Sequence, residues 1–199
     1  MSFDQRAKTW DASMRRQALA TAVANAIKEK IALNNSMRLL DMGAGTGLLT
    51  RRILPHVQSI TAVDTSKGML EELKKIEGAI ETYQSDILSY TPSEPFDGII
   101  SSMTLHHIED TNGLFKHLLK LLKPNGFIAI ADLAPEDGTF HTHGNEGVFH
   151  FGFEESTLKR LAETNGFINS DYQIIHTIEK ENNRSYDIFL FTAIKPSST

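Results

Sequence analysis

Three glycines at alternate positions form the most distinctive pattern in the chain. They are Gly43, Gly45 and Gly47 in the segment "LLDMGAGTGLLTRRI", residues 39 to 53. Glycine loses more backbone entropy on folding than any other residue, so three in one turn indicate a need for bare backbone. A turn of this kind between a strand and a helix exposes free N–H groups that bind nucleotide-like ligands. The segment therefore predicts a ligand site.

The residues within and before the turn indicate which ligand binds. A dinucleotide-binding loop reads G-x-G-x-x-G, but its last glycine position is occupied here by Leu48. Asp41, two residues before the first glycine, would repel a pyrophosphate and could accept hydrogen bonds from a cationic group. The loop thus favours an adenosine-type ligand that lacks phosphates and has a cationic end. S-adenosylmethionine (SAM), with its ammonium and sulfonium groups, is such a ligand.

Two further aspartates support this interpretation. Asp64 follows Gly47 by 17 residues and ends the next predicted strand, where an acid can accept hydrogen bonds from ribose hydroxyls. Asp86 follows the third predicted strand, where its side chain could meet the adenine amino group. Acids at the ends of three successive strands turn a weak glycine motif into a specific SAM hypothesis.

The elements that position these residues alternate along the chain. Apolar runs predict strands at 37–42, 59–64, 79–86, 96–103 and 127–133, and helical spacing predicts helices at 13–33, 48–54, 66–76, 114–122 and 154–165. Two strand-like segments, 168–179 and 186–195, follow with only six residues between them, which suits an antiparallel hairpin. The prediction is an α/β, Rossmann-like, doubly wound sheet of seven strands. It is mostly parallel, with one antiparallel strand near the edge and helices on both faces.

Composition limits the class of protein. The 199 residues suit one domain, and the absence of cysteine excludes disulfides, thiolate nucleophiles and cysteine-ligated metals. A net charge of −5 argues against nucleic acid as a partner, because phosphate binding needs clustered Lys and Arg. The polar N-terminus lacks the apolar region expected of a signal peptide, and no apolar run approaches the roughly 20 residues of a membrane span. A cytoplasmic protein is predicted, and its oligomeric state is not readable.

Five motifs between about residue 37 and residue 133 resemble, in order, those of class I SAM-dependent methyltransferases. They are "LLDMGAGTGLLT", "AVDTSKGML", "SDI", "FDGIISSMTLHHIED" and "LLKPNGFIAIADL". The resemblance is closest to the small bacterial type with Leu-His-His after the fourth strand, a broad group that includes ubiquinone- and menaquinone-pathway enzymes. It implies a transferase that methylates an acceptor with SAM and releases S-adenosyl-L-homocysteine.

The resemblance also implies roles for individual residues. Those expected at the methionine part of SAM are Gly43, Ala44, Gly45 and Gly47. Asp64 would hold the ribose, with Thr65 and Met69 near the adenosine. Those expected beside the adenine are Asp86 and Ile87, and those near the methionyl end are Ser102 and Met103.

Catalytic residues are harder to predict, because a sulfonium already activates the methyl group and the protein contributes mainly alignment. His106 and His107 follow the fourth strand beside the expected methyl position. One of them could act as a base or orient the acceptor, with a slight preference for His107. The alternative is that both are structural.

A segment rich in histidine and phenylalanine, residues 134–153, is predicted to be an insertion facing the substrate. The expected pocket residues within it are His141, His143, Phe149 and His150. His141 and His143 would point the same way in an extended segment, which could suit a metal. No third ligand has a defensible spacing, so no metal is predicted.

The N-terminal segment, residues 1–36, is predicted to be a helical lid over the SAM pocket. Trp10, Met14 and Arg15 could belong to that lid, or Trp10 could simply anchor the first helix to the core.

A small-molecule acceptor is favoured, because the run "SSMTLHH" lacks the Asn/Asp-Pro-Pro-aromatic motif of nucleic-acid amino-methylating enzymes. The alternatives are a non-catalytic SAM-binding sensor or partner subunit, and a methyltransferase of a protein substrate. A nicotinamide-dependent oxidoreductase is disfavoured by Leu48 and Asp41.

Overall fold

A computed structural model describes residues 3–142, 144–180 and 183–197 as strands and helices arranged around one sheet. The strands are β1 (Arg38–Met42), β2 (Ser59–Asp64), β3 (Ile80–Gln84), β4 (Phe96–Ser102), β5 (Leu122–Leu133), β6 (Ile168–Glu179) and β7 (Ser185–Ile194). The helices are α1 (Phe3–Trp10), α2 (Met14–Lys30), α3 (Thr50–Ile53), α4 (Lys67–Leu73), α5 (Thr111–Leu121) and α6 (Glu155–Thr164).

The strand order confirms the predicted fold. The sheet runs β3-β2-β1-β4-β5-β7-β6, and β7 is antiparallel to both of its neighbours while the other strand pairs are parallel. The chain order reverses between β1 and β4, and doubly wound sheets bind ligands outside the carboxyl ends of strands at such a point. The glycine turn leaves β1 at this place.

Apolar residues cover both faces of the sheet. On one face, Val23 and Ile27 of α2 are fully buried against the sheet. On the other, Leu114 and Leu118 of α5 are fully buried in a second cluster. These faces account for the helical spacing in the sequence. The two packed layers hold the ends of the strands in place, which makes the edge above β1 and β4 a rigid platform.

Two elements differ from the sequence expectation. The helix α1 was not predicted as a separate helix within the helical segment 1–36, although Phe3, Ala7 and Trp10 recur at the spacing of one helix face. β5 begins at Leu122, five residues earlier than expected, because Leu122 pairs with Phe96 before a register shift in β4. Within the described ranges, no helix is both long and apolar enough to span a membrane.

Candidate active site

A cavity of about 300 Å³ opens above the carboxyl ends of β1, β2 and β4. Every residue predicted to hold the cofactor lines it, except Gly47. The lining members of that set are Asp41, Gly43, Ala44, Gly45, Asp64, Thr65, Met69, Asp86, Ile87, Ser102 and Met103. The topology therefore brings together residues that are spread over more than sixty positions of the chain.

The three glycines of the turn all have positive φ angles, but their surroundings differ. A side chain at Gly43 would collide with Thr104, which packs on the turn from the segment after β4. One at Gly47 would come within 2.9 Å of Leu73 in α4, so this glycine serves helix packing. At Gly45 an added methyl group would meet no atom within 4 Å. Only Gly45 thus presents bare backbone to open space.

Asp64 fixes the shape of the glycine turn. One carboxylate oxygen accepts a hydrogen bond from the Gly45 N–H at 2.8 Å, and the other accepts one from the Ser66 N–H at 2.8 Å. Burial raises the pKa of this carboxyl, while the bonds from Ser66, Gly45 and Thr65 act in the opposite direction. A carboxylate has about four acceptor positions, so capacity remains for a ribose hydroxyl.

Asp41 is buried at the base of the cavity. Its carboxylate accepts a hydrogen bond from the Thr50 hydroxyl at 2.5 Å. Burial raises the pKa of Asp41 to about 7, with the nearby Asp64 charge acting in the same direction and Thr50 opposing it. A cationic ligand group would relieve this cost, because an opposite charge favours the ionised carboxylate.

The remaining predicted cofactor residues form the walls. The Asp86 carboxylate accepts a hydrogen bond from the Leu88 N–H at 2.7 Å and so caps a short turn after β3. Met103 lies just after β4 with a φ of 58°, a left-handed conformation that is uncommon for a side chain of its size. Backbone strain of this kind concentrates at functional sites.

The helix α1 contributes to the cavity lining and is held by hydrogen bonds near each of its ends. Asp4 accepts hydrogen bonds from the Ser66 hydroxyl at 2.6 Å and from the Gly68 N–H at 2.8 Å, at the start of α4. Just beyond α1, Asp11 accepts a hydrogen bond from the Thr46 hydroxyl at 2.5 Å. This segment is therefore attached to the glycine turn itself.

Aromatic and cationic side chains of the N-terminal segment contribute to the cavity lining. Phe3, Trp10 and Arg16 line it, and the Arg16 guanidinium lies 3.6 Å from the centre of the Trp10 ring. Met14 and Arg15 do not line it. Both are exposed, Met14 to 83%, because they lie on the outer side of the first turn of α2. Arg16, one residue further along, takes the position that was expected of Arg15.

His106 faces away from the cavity. It is 1% exposed, and its Nδ1 lies 2.6 Å from the Oδ1 of Asp132, which is fully buried at the end of β5. The backbone N–H of His106 also donates a hydrogen bond to the other Asp132 oxygen at 3.2 Å. Two bonds to one buried carboxylate hold the His106 ring in a single orientation.

His107 lines the cavity. Its Nδ1 lies 2.7 Å from the carbonyl oxygen of Gly147, and its ring meets the Phe3 ring edge-on at 5.9 Å. Burial, followed by the nearby His106, lowers the pKa of His107. The ring is therefore neutral at pH 7, and because Nδ1–H donates to the carbonyl, Nε2 is the unprotonated atom.

The expected pocket residues of the 134–153 segment divide into three groups. His141 does not line the cavity and instead packs against both preceding histidines, with ring centres 5.1 Å from His106 and 5.6 Å from His107. Phe149 and His150 do not line the cavity. The Phe149 ring is half exposed, and the His150 Nε2 lies 2.9 Å from a backbone carbonyl oxygen. His143 lies outside the described residues.

Several site residues were missed from the sequence. Phe3 and Arg16 lie in a polar segment without a motif, and Thr104 carries no signal beyond its place after β4. Asp132 could have been found, since it is the one acid within the apolar run "FIAIADL". A carboxylate at full burial needs a partner, and that partner is His106.

Comparison with known proteins gives the class of this chain. A family model described as a methyltransferase domain matches residues 12–178. The chain is 31% identical over 157 residues to an uncharacterised methyltransferase of Schizosaccharomyces pombe, covering 69% of this chain and 55% of that protein. It is 30% identical over 156 residues to trans-aconitate 2-methyltransferase of Enterobacter sp., covering 76% of this chain and 62% of that protein. The chain thus spans little more than half the length of these relatives.

The fold is similar to that of solved methyltransferases. One is phosphoethanolamine N-methyltransferase 2 of Haemonchus contortus, determined with phosphomonomethylethanolamine and S-adenosylhomocysteine. It superposes with a TM-score of 0.71 at 19% identity, over 87% of this chain and 52% of that one. The strand order and glycine turn are those of a class I methyltransferase fold. With the family model matching most of its length, the chain belongs to the SAM-dependent methyltransferase family, whose cofactor is SAM.

Proposed function

We propose that this protein transfers a methyl group from SAM to a small-molecule acceptor. The observation that carries the proposal is one cavity that joins the glycine turn, three strand-end carboxylates and an unprotonated histidine nitrogen. The turn and the acids suit the donor, and His107 lies where an acceptor would enter. The quinone-pathway resemblance stays a prediction.

The chain's own residues contribute mainly alignment. SAM, when bound, supplies a methyl group that is already activated by the sulfonium. Asp64 would accept a hydrogen bond from the donor's ribose, the bare backbone at Gly45 would lie against its methionine part, and Asp41 would receive its cationic end. Alignment of two reactants can contribute on the order of 7–11 kcal/mol in favourable cases. The site therefore needs no strong acid or base unless the acceptor must lose a proton.

The two histidines after β4 have different roles in this proposal. His106 is a positioning residue, since Asp132 holds it and it does not line the cavity. His107 is the catalytic candidate, because it lines the cavity and its Nε2 can accept a proton or a hydrogen bond. His107 was also slightly preferred in the sequence analysis, and its place in the cavity lining supports that preference.

Three observations support a small acceptor. Phe3 and Trp10 of α1 line the cavity, whose volume of about 300 Å³ suits a small acceptor better than a polymer. The net charge of −5 disfavours nucleic acid. The Enterobacter relative is named for trans-aconitate, and the Haemonchus structure holds phosphomonomethylethanolamine. Both of those are small anionic compounds.

Calorimetry with SAM and S-adenosylhomocysteine tests the donor half of the proposal. We expect binding of one equivalent, and Asp64→Ala should weaken it by about 10- to 100-fold, because a buried charged acceptor contributes roughly 1.5–3 kcal/mol. Asp171→Ala, on the surface of β6, is the matched control and should bind as the parent does. Unchanged affinity in Asp64→Ala would refute the ribose assignment.

A panel of small anions tests the acceptor half. Di- and tricarboxylates and phosphorylated amines are incubated with SAM, and S-adenosylhomocysteine formation is followed. We expect turnover with at least one member, and a lower rate in His107→Ala. Tight SAM binding without turnover on any acceptor would favour the sensor or partner-subunit alternative.

A further inference from the structure

We propose that His106, His107 and His141 form a binding site for a zinc-like divalent transition metal beside the cofactor cavity. One ring nitrogen of each residue lies within 4.8 Å of the others, and the ring centres are 4.0 to 5.6 Å apart. His106 and His107 lie in a short turn after β4, and His141 reaches them from the segment after β5. The site goes beyond the proposed function, since methyl transfer from SAM does not require a metal. It is an alternative to the acceptor role proposed for His107 Nε2, because a nitrogen lone pair that binds a metal cannot also accept a proton.

The hydrogen bonds around the cluster prepare its nitrogens for a metal. Nδ1 of His106 is bonded to the buried carboxylate of Asp132, and Nδ1 of His107 to the Gly147 carbonyl. A carbonyl oxygen can only accept a hydrogen bond, and a carboxylate oxygen likewise accepts one from the ring. In both rings Nδ1 therefore carries the hydrogen and donates it. Each ring therefore presents Nε2 with a free lone pair. Metal-binding histidines almost always have their other nitrogen fixed in this way, by a carboxylate or a backbone carbonyl.

Two nitrogens of the cluster are buried without a partner. They are Nε2 of His106 and Nδ1 of His141, which make no hydrogen bond within the described part of the chain. A buried polar atom left unpaired costs about 1–3 kcal/mol, so such atoms need an explanation. A single cation between the three rings would satisfy both nitrogens at once.

Charged groups lie near the cluster. Lys180, which donates to the Phe140 carbonyl, adds a positive charge near His141, and the Asp132 carboxylate at His106 adds a negative one.

Three imidazoles select the class of metal. Zn²⁺ and its first-row neighbours accept nitrogen ligands, whereas Mg²⁺ and Ca²⁺ prefer oxygen. A zinc with three protein ligands keeps one position open, as catalytic zinc sites do. Because His107 also lines the cavity, that open position would border the acceptor side and could bind an acceptor oxygen.

The test uses tag-free protein with metal ions alone, so that neither SAM nor an acceptor is needed. Calorimetry with Zn²⁺ measures stoichiometry and affinity, and visible absorption on Co²⁺ addition reports the ligand field. We expect one Zn²⁺ per chain and the Co²⁺ spectrum of a four-coordinate, nitrogen-rich site. His141→Ala and His107→Ala should each lower Zn²⁺ affinity by more than about 10-fold.

His56→Ala is the matched control, because His56 is an exposed histidine after α3 and lies outside the cluster. It should bind Zn²⁺ as the parent does. Circular dichroism of each variant shows whether it is folded. Because His141 lies in an irregular segment, we expect His141→Ala to disturb folding least. Absence of stoichiometric Zn²⁺ binding, or an equal loss of Zn²⁺ affinity in His56→Ala, would overturn the proposal. Water would then be the partner of Nε2 of His106 and Nδ1 of His141. Calorimetry with SAM on the same samples would separate this failure from a failure of the proposed function.

Discussion

The three glycines of the turn all have positive φ angles, but the atoms around them differ. Gly43 makes room for Thr104 and Gly47 makes room for α4, whereas Gly45 faces open space and donates its N–H to Asp64. Two of the three are thus needed by the fold, and one by the ligand. Replacements at Gly43 and Gly45 should therefore damage different properties.

We expect Gly43→Ala to lower the melting temperature much more than Gly45→Ala. An alanine in the left-handed region costs about 1–2 kcal/mol at either position. At Gly43 the methyl group also collides with Thr104, while at Gly45 it projects into free space. Gly45→Ala should remain folded and lose SAM affinity. Equal melting temperatures for the two variants, measured by calorimetric scanning, would contradict this division.

Asp41 should make the stability of the unliganded protein depend on pH. Its pKa is about 7 in the folded state, above the ordinary 3.8, so its favourable contribution is complete below pH 4 and is lost as pH rises through 7. Asp41→Asn stays neutral. Relative to the parent, it should gain about 2 to 3 kcal/mol of unfolding free energy between pH 5 and pH 8.

Urea denaturation at the two pH values measures this gain, and the exposed Glu77→Gln serves as control. The idea fails if Asp41→Asn and the parent show parallel pH dependence. A cationic ligand beside Asp41 should lower its pKa again. SAM binding near pH 7 should then release a proton, which calorimetry in buffers of different ionisation enthalpy detects.

At the scale of the element, the helix α1 is the part of the site with the weakest signal in the sequence. It spans Phe3–Trp10, and its eight residues are fewer than the roughly 11 to 18 over which helical periodicity is recognised, although Phe3, Ala7 and Trp10 share one face. What holds it is polar and distant in sequence, namely Asp4 with Ser66 and Gly68. Such bonds become visible only when α4 has been placed beside α1. The lid role predicted for residues 1–36 stays a proposal.

Loosening α1 should speed release of the cofactor. Asp4→Ala removes both bonds to the start of α4, so we expect SAM to dissociate several-fold faster with little change in melting temperature. Trp10 is the only tryptophan and lines the cavity, so its fluorescence reports release in a stopped-flow experiment. Lys8→Ala, on the exposed side of α1, is the control. Equal dissociation rates in the two variants would argue against a lid.

The strands and the glycine turn were predictable because each depends on a local pattern. Apolar runs gave the sheet, and acids at strand ends gave the cavity wall. The histidine cluster was not predictable, because His141 lies far from His106 and His107 in sequence and no spacing rule joins them. Asp132 of β5 and Gly147, from the same segment as His141, complete the cluster. Contacts of this kind depend on the path of an irregular segment rather than on periodicity.

At the scale of the whole molecule, the sheet brings the residues proposed for the donor and those proposed for the acceptor to the same edge. The carboxyl ends of β1 to β3 supply the glycine turn and acids, and those of β4 and β5 supply the histidines and Asp132. The residues after β1 to β3 match a family whose cofactor is SAM. The residues after β4 and β5 are those that would select this chain's own acceptor.

Transfer of a labelled methyl group tests the central claim most directly. The protein is incubated with methyl-labelled SAM and a cell extract separated into small molecules, proteins and nucleic acids. We predict label in the small-molecule fraction, present with the parent and with Asp171→Ala and strongly reduced with Asp64→Ala. Label confined to the protein or nucleic-acid fraction, or bound SAM with no label transferred to any fraction, would contradict the account.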